Sequence, residues 1–190
     1  MVGTVSCNAL YVVSNPELSN VRDIMTKNTY NIAILTISDM GARGDRVDTS
    51  GDIISDLIAE EGYKQICRDI VPDEADLISN KLRVWCDDGD VDLVLTTGGT
   101  GLGPRDVTPE ATRSIIQIEV PGITEAIRVK TLKNTQFSML SRSVAGVRSG
   151  CLIINFPGSP KAVRECMQVV MPVIPHALEM IKGWRSHPGI

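Results

Sequence analysis

The segment with the clearest chemical signature is a glycine-rich loop that follows a run of aliphatic residues. Four glycines fall within six positions, at Gly98, Gly99, Gly101 and Gly103. Glycines expose backbone N–H groups without a Cβ atom in the way, and such groups can bind the oxygens of a phosphate. The spacing is neither that of a Walker A loop nor that of the dinucleotide-binding motif. The pattern favours a phosphate-binding loop over a glycine-rich tight turn.

Two aspartates lie where they could act on a phosphate bound by this loop. Asp106 follows the glycines, and Asp73 follows the preceding predicted strand. A carboxylate beside a phosphate is repelled unless a divalent cation lies between them, and Mg²⁺ is commonly bound by one or two carboxylates together with substrate phosphates. We therefore expect Asp73 and Asp106 to bind Mg²⁺. For Asp73, an acid that merely begins a helix is an alternative interpretation.

These residues need a scaffold that brings separate segments together, and the hydrophobic pattern predicts one. Short aliphatic runs at residues 32–37, 65–71, 91–97 and 151–156 alternate with amphipathic segments. This alternation is typical of a three-layer α/β fold, a mostly parallel sheet flanked by helices. The carboxyl ends of parallel strands share one edge of the sheet, where open α/β folds bind ligands. We therefore expect the glycine loop to meet the segments that follow the other strands: Ser38-Asp39, Asp73-Glu74 and Pro157-Gly158-Ser159.

Capping residues predict where the helices begin. Thr49 or Ser50 is predicted to cap the first long helix, and Thr108-Pro109 has the pattern of an N-cap followed by a proline. Residues 122–147 are predicted to be helical with irregular breaks. Pro157-Gly158-Ser159 would lie at another helix N-terminus, which makes it a second candidate anion site.

Length and composition limit the kind of protein. The 190 residues suffice for one compact domain, which we place at residues 30–190, preceded by an N-terminal extension at residues 1–29. The net charge of −4 and the lack of a long basic stripe argue against a nucleic-acid partner. No apolar run approaches the roughly 20 residues that cross a bilayer, and no secretion signal is recognisable, so we expect a cytoplasmic protein without a membrane partner. Five cysteines without CxxC spacing are typical of free thiols in a reducing compartment.

The motifs, taken together, resemble those of one family. Residues 31 to about 183 resemble the molybdopterin adenylyltransferases, whose bacterial members are called MogA and MoaB. Each motif alone would be weak, but together they are specific. They are Ser38-Asp39, Asp48-Thr49-Ser50-Gly51, Ile70 to Glu74, Thr97 to Gly101, Arg105 to Ala111, Leu140-Ser141-Arg142 and Asn155 to Pro160.

The resemblance implies the molybdenum cofactor biosynthesis protein-like fold and a defined reaction. AMP would pass from ATP to the terminal phosphate of molybdopterin, with release of pyrophosphate. Asp73 and Asp106 would be the essential carboxylates, assisted by Mg²⁺, and positioning with charge neutralisation would stabilise the transition state at the α-phosphorus. The residues expected to bind the substrates are Ser38, Asp39, Gly98, Gly99, Thr100, Gly101, Ser141, Asn155, Pro157 and Gly158.

The resemblance also implies partners: a homotrimer, or a hexamer as in some MoaB-type members, and hand-over of the product to a molybdenum-insertion enzyme. Two other functions stay open. One is a non-catalytic carrier or scaffold that binds molybdopterin, against which the presence of both Asp73 and Asp106 argues. The other is a nucleotide pyrophosphatase of the CinA type, against which Thr100-Gly101 and the single Asp106 after Arg105 argue.

Overall fold

The computed structural model describes residues 30–183 of the chain. The predicted N-terminal extension, residues 1–29, therefore lies outside the described residues, and so do residues 184–190 at the end of the predicted domain. All the motifs found in the sequence, from Ser38 to Pro160, fall within the described range.

The centre of the fold is a sheet of six strands. In chain order they are β1 (Asn31–Ile37), β2 (Lys64–Val71), β3 (Leu93–Thr97), β4 (Ile118–Glu119), β5 (Ala145–Arg148) and β6 (Cys151–Phe156). Their order in the sheet is β2-β1-β3-β6-β5-β4, with the first four parallel and the last two added antiparallel. The sheet is therefore mostly parallel, as predicted, and its four parallel strands are those expected from the aliphatic runs.

Helices cover both faces of the sheet. They are α1 (Asp39–Ala42), α2 (Thr49–Glu60), α3 (Ala75–Asp87), α4 (Thr108–Arg113), α5 (Pro121–Thr131), α6 (Pro160–Val170) and α7 (Ile174–Ile181), with 3₁₀ helices at Gln136–Leu140 and Met171–Val173. Successive side chains of β1 point to opposite faces. Ile32 and Ile34 therefore share a core with α2, α5, α6 and α7, whereas Ala33 and Leu35 share one with α3 and α4. The predicted three-layer fold is confirmed. Within residues 30–183 no helix is long and apolar enough to cross a membrane.

The prediction that residues 122–147 are helical with irregular breaks is correct as far as Leu140 and wrong for the strand that begins at Ala145. α5 ends at Thr131, a 3₁₀ helix follows, and β5 then pairs antiparallel with β6. Gly146 allows β5 to pair with β4 on its other side, because a Cβ atom there would come within 2.7 Å of the Ile116 side chain and 2.8 Å of the Ile118 carbonyl oxygen. Contacts across a sheet can override a weak local helical pattern.

Two predicted helix caps are also misplaced. Asp48, and not Thr49 or Ser50, caps α2, because its carboxylate accepts a hydrogen bond of 2.9 Å from an N–H of the first turn. Thr108 is the first residue of α4 and not its cap; its hydroxyl donates to the carbonyl of Gly98 at 2.9 Å. The hydroxyl predicted to close a helix end thus ties the glycine loop to the helix that follows it.

The junction between β3 and the glycine loop has no space for a side chain. Gly98 has a φ of +102°, a conformation that side chains with a Cβ atom rarely adopt. A Cβ atom at this position would lie 2.2 Å from the carbonyl oxygen of Ile37, at the end of β1. Only glycine therefore lets the loop leave β3 against the neighbouring strand.

We predict that Gly98→Ala lowers the free energy of unfolding by about 2 kcal/mol or more, because backbone strain and the clash with Ile37 act together. Gly122→Ala is the matched control, since a Cβ atom there meets nothing within 4 Å. In the first turn of α5 that change should leave stability unchanged or raise it by up to about 1 kcal/mol. Urea unfolding followed by circular dichroism measures both variants, and equal stabilities would contradict the constraint.

Candidate functional site

The carboxyl ends of β2, β1, β3 and β6 lie side by side at one edge of the sheet. In that order they are followed by Asp73, Ser38-Asp39, Gly98-Gly99 and Pro157-Gly158. The N–H of Gly98 donates to the carbonyl of Phe156 at 3.2 Å, so a backbone hydrogen bond joins the glycine loop to the end of β6. The strand ends predicted to meet do meet.

Two cavities open at this edge, separated by a ridge. The smaller cavity has a volume of about 400 Å³ and the larger one about 700 Å³. Gly99, Gly158 and Ser159 line both cavities and form the ridge. Ser159 caps α6 as predicted, with its hydroxyl accepting a hydrogen bond of 3.2 Å from the N–H of Ala162. The positive end of a helix dipole therefore lies where the two cavities meet.

The predicted site residues divide between the two cavities. Ser38, Asp73 and Gly98 line the smaller one; Thr100, Gly101, Asp106, Ser141 and Pro157 line the larger one; Gly99 and Gly158 line both; Asp39 and Asn155 line neither. The two carboxylates predicted to be catalytic thus face different cavities, Asp73 the smaller and Asp106 the larger.

Asp39 is engaged by other protein groups. Its carboxylate accepts hydrogen bonds from Arg105, Nε at 3.1 Å and Nη2 at 2.8 Å, and from the N–H of Asp73 at 3.1 Å. Arg105 first, and then the N–H of Asp73, hold the pKa of Asp39 below its ordinary value. The N–H of Asp39 in turn donates to Asp73 Oδ2 at 2.8 Å. Asp39 therefore positions Asp73 and the glycine loop, and its predicted contact with substrate stays a prediction that this geometry does not favour.

Within residues 30–183, Asp73 lacks the arginine partner that Asp39 has. Among the described residues it makes no ion pair, although its carboxylate receives the N–H of Asp39. Burial raises the pKa of Asp73, the nearby carboxylates of Asp39 and Asp106 raise it further, and the hydrogen bond from Asp39 opposes them. A half-buried carboxylate in this setting would gain from a bound cation.

Asp106 is held within the glycine loop itself. Its Oδ2 accepts a hydrogen bond of 2.7 Å from the N–H of Gly103. Cβ atoms at Gly101 and Gly103 would lie 3.0 and 2.8 Å from the same oxygen. These two glycines therefore make room for the carboxylate, whereas Gly98 and Gly99 provide left-handed backbone, with φ of +102° and +63°.

The fit of Mg²⁺ depends on how many ligands the chain provides. Within residues 30–183, no three His, Cys, Asp or Glu side chains gather closely enough to hold a metal ion by themselves. The carboxylates of Asp73 and Asp106 lie against the same glycine loop: a Cβ atom at Gly99 would be 3.1 Å from Asp73 Oδ1, and one at Gly101 would be 3.0 Å from Asp106 Oδ2. Such a pair fits Mg²⁺, whose other ligands are usually waters and substrate phosphates, and does not fit a metal held by protein ligands alone.

Asn155 lies behind the site. Its side chain is fully buried, and its amide nitrogen donates to the hydroxyls of Thr96 at 2.9 Å and Thr112 at 3.1 Å. Its amide oxygen accepts from the N–H of Val144 at 3.2 Å. Both amide protons are thereby used in joining β6 to β3 and α4. Asn155 thus positions the strand ends, and its predicted substrate contact stays a prediction that this geometry does not favour.

Four arginines near the site were not singled out from the sequence, and one of them, Arg128, lines the larger cavity. Arg105 pairs with Asp39, Arg142 contacts the glycine loop, and Arg46 lines the smaller cavity. Arg105 and Arg142 both lie within the recognised motifs, but a motif does not reveal which group a side chain contacts. Only the folded chain shows that these two bind other parts of the protein.

The chain is similar to proteins of known kind. A family model described as "Probable molybdopterin binding domain" matches residues 33–176. A molybdopterin adenylyltransferase from Helicobacter pylori is 43% identical over 157 residues, which cover 82% of this chain and 89% of that protein. The molybdenum cofactor synthesis protein cinnamon from Drosophila melanogaster is 46% identical over 149 residues, 78% of this chain, and the match spans only 25% of the fly protein.

A similar fold is found in a solved structure. The molybdopterin biosynthesis enzyme MoaB from Thermus thermophilus superposes with a TM-score of 0.77 at 47% sequence identity. The superposition covers 83% of this chain and 100% of that chain.

We predict that Asp73→Asn raises thermal stability at pH 7. Because the folded-state pKa of Asp73 lies above its unfolded value, folding favours the protonated form. That contribution to stability is present below about pH 4 and is lost as pH rises through the raised pKa. Asparagine is neutral throughout, so the variant should melt above wild type at pH 7, with a smaller gain at pH 3.

Asp76→Asn, in the first turn of α3, is the control for this prediction. An acid at a helix N-terminus is favourable, so this variant should gain nothing at pH 7. Melting temperatures of the three proteins at both pH values provide the measurement. An Asp73→Asn protein that melts below wild type at pH 7 would show that the Asp73 charge is well compensated.

Proposed function

The chain belongs to the molybdopterin-binding domain family, and from this premise we propose that it is a molybdopterin adenylyltransferase of molybdenum cofactor biosynthesis. It transfers AMP from ATP to the terminal phosphate of molybdopterin and releases pyrophosphate. The observation that carries this proposal is the pair of cavities that meet at Gly99, Gly158 and Ser159.

Adenylyl transfer needs two ligands whose phosphate groups meet. An oxygen of the molybdopterin phosphate attacks the α-phosphorus of ATP, the bond from that phosphorus to the oxygen bridging to the β-phosphate breaks, and pyrophosphate leaves with the bonding electrons. Two cavities that share a wall can each hold one substrate with its phosphate at that wall. The glycine loop would supply N–H groups there, and the positive end of the α6 dipole would favour the negative charge of the phosphates, which supports this arrangement.

The roles of the carboxylates follow from their places. Asp73 and Asp106 would each help to hold Mg²⁺, together with substrate phosphates. When bound, Mg²⁺ neutralises charge on the reacting phosphates and the leaving pyrophosphate. The protein itself fixes the two carboxylates, Asp73 through the N–H of Asp39 and Asp106 through the N–H of Gly103. The proposed transfer passes directly between the substrates, so positioning and electrostatics are what the protein must supply.

We expect the purified protein to form adenylylated molybdopterin and pyrophosphate from molybdopterin, ATP and Mg²⁺. Asp73→Asn and Asp106→Asn should each remain folded and lower the rate by about a hundredfold or more, since each removes a charge that would hold the metal. Asp76→Asn should keep the wild-type rate. Chromatography of the pterin products and a pyrophosphate assay, run side by side, measure the transfer.

The outcomes of that assay separate the competing functions. A wild-type protein that binds molybdopterin tightly but forms no product would support the carrier. Hydrolysis of a nucleotide without molybdopterin would support the pyrophosphatase. Because Asp73 and Asp106 face different cavities, the two Asn variants should also differ in which substrate they bind more weakly.

We further propose that the protein forms a homotrimer. Around the larger cavity, several apolar side chains are exposed, which is unusual for a group of neighbouring residues unless another surface covers them. They are Leu102 on the glycine loop, Leu132 after α5, and Phe137, Met139 and Leu140 on the 3₁₀ helix. These residues are our candidates for contacts between copies of the chain.

Met139→Glu is expected to weaken this assembly, because it places a charge on the proposed contact surface. Met139 lines neither cavity, so the change spares the site. Val84→Glu is the control, since Val84 on α3 is 65% exposed, close to the 64% of Met139, and belongs to a helix on the other face of the sheet. Light scattering after size-exclusion chromatography should show a trimer for wild type and Val84→Glu and smaller species for Met139→Glu. A monomeric wild type would refute the trimer.

The proposed reaction also indicates what must follow it. An adenylylated phosphate is an activated group, so we propose that a molybdenum-insertion enzyme consumes the product. A supply of ATP fits the cytoplasmic location expected from the sequence.

A further inference from the structure

Arg142 binds the glycine loop from the side away from the cavities. Its Nε donates to the carbonyl of Gly101 at 2.7 Å, and its Nη2 donates to the carbonyl of Asp106 at 2.5 Å. Its backbone N–H donates to the carbonyl of Thr100 at 3.0 Å. Its Nη1 pairs with the carboxylate of Glu110 on α4. One residue thus holds three carbonyl groups of the loop and is itself anchored to the helix that follows.

These contacts determine where the N–H groups of the loop point. In a planar trans peptide the C=O and the following N–H point in opposite directions. With the carbonyls of Thr100 and Gly101 turned toward Arg142, the N–H groups of Gly101 and Leu102 turn away from it. Within the described residues, no acceptor is present for the N–H groups of Gly99, Thr100, Gly101 or Leu102. All four residues line the larger cavity.

We infer that Arg142 is a positioning residue, which turns the carbonyls of the loop away from the larger cavity so that successive N–H groups face it and bind a phosphate group. The inference rests on the proposed function, because it names how the phosphate of a substrate or of the pyrophosphate product is held. Arg142 lines neither cavity, so it acts through the loop and does not touch the ligand.

The chemistry of arginine explains why this position needs it. A guanidinium group has five N–H donors in a rigid plane and can reach a carbonyl on one side and a carboxylate on the other. The ammonium group of lysine is a compact charge on a single nitrogen, so it could bind only some of the partners of Arg142: the carbonyls of Gly101 and Asp106 and the carboxylate of Glu110. Arg142→Lys should therefore keep the charge yet fail to fix all the carbonyls.

Arg148 is the matched control within the chain. Its side chain binds one carboxylate, Asp87 at 3.0 and 2.6 Å, and one carbonyl, Ile115 at 2.8 Å, whereas the side chain of Arg142 binds one carboxylate and two carbonyls. Its side chain is 19% exposed, against 32% for Arg142. It lines neither cavity and makes no hydrogen bond to the glycine loop among the described residues. Arg148→Ala therefore measures how much stability the protein loses when a partly buried arginine that joins two segments is removed.

The test is the binding of inorganic pyrophosphate to the intact protein, measured by calorimetry without ATP or molybdopterin. Arg142→Ala should weaken binding about tenfold or more. The backbone N–H of residue 142 still holds the carbonyl of Thr100, but the carbonyl of Gly101 is released, so the N–H of Leu102 loses its orientation. Arg142→Lys should also bind more weakly than wild type. Arg148→Ala should bind as wild type does, even where its melting temperature falls. Added methylguanidinium should restore binding to Arg142→Ala, whereas methylammonium should not.

The result is decisive in both directions. Unchanged pyrophosphate binding by Arg142→Ala, an equal loss in Arg148→Ala, or no binding by wild type would each overturn the inference. Because the probe is inorganic, a protein that binds pyrophosphate through Arg142 but transfers no AMP would refute the proposed function and leave the role of Arg142 standing. If the wild-type protein transfers AMP but Arg142→Ala binds pyrophosphate normally, the proposed function stands and the role of Arg142 is refuted.

Discussion

The structure of the site depends on a contact between backbones at the end of β3. Gly98 leaves that strand against the carbonyl of Ile37, with no space for a Cβ atom, and a Cβ atom on Gly158 would lie 3.2 Å from the Cα of Gly98. Three strand ends are therefore packed without intervening side chains. Because they are so close, the ridge between the cavities consists of backbone and one serine, and the charged side chains lie on its two sides.

The acids of the site are each controlled by a different means. Asp39 is neutralised by Arg105, Asp106 is held by a backbone N–H, and Asp73 is half-buried with its pKa raised. The raised pKa of Asp73 favours its expected role at a cation over the alternative of an acid that merely begins a helix. A raised pKa means that folding disfavours the charge of this carboxylate, and a bound cation would offset that cost.

The supporting residues lie one layer behind the cavities. Asn155 uses its amide to join three segments, and Arg142 and Thr108 fix the carbonyls of the glycine loop. A loop rich in glycine has many accessible conformations, so such contacts are needed to select one. The motifs therefore contain residues that line the cavities and residues that fix the position of those lining residues.

The four parallel strands, the three-layer fold, the glycine loop and the family are predictable from the sequence, because aliphatic runs, glycine clusters and linear motifs are local properties of the chain. The strand at residues 145–148 is not, since it depends on pairing with β6. Only the tertiary structure placed Asp73 and Asp106 in different cavities and turned Asn155 and Arg142 away from them. The direction in which a side chain points depends on partners many residues away, and the spacing of residues along the chain does not contain that information.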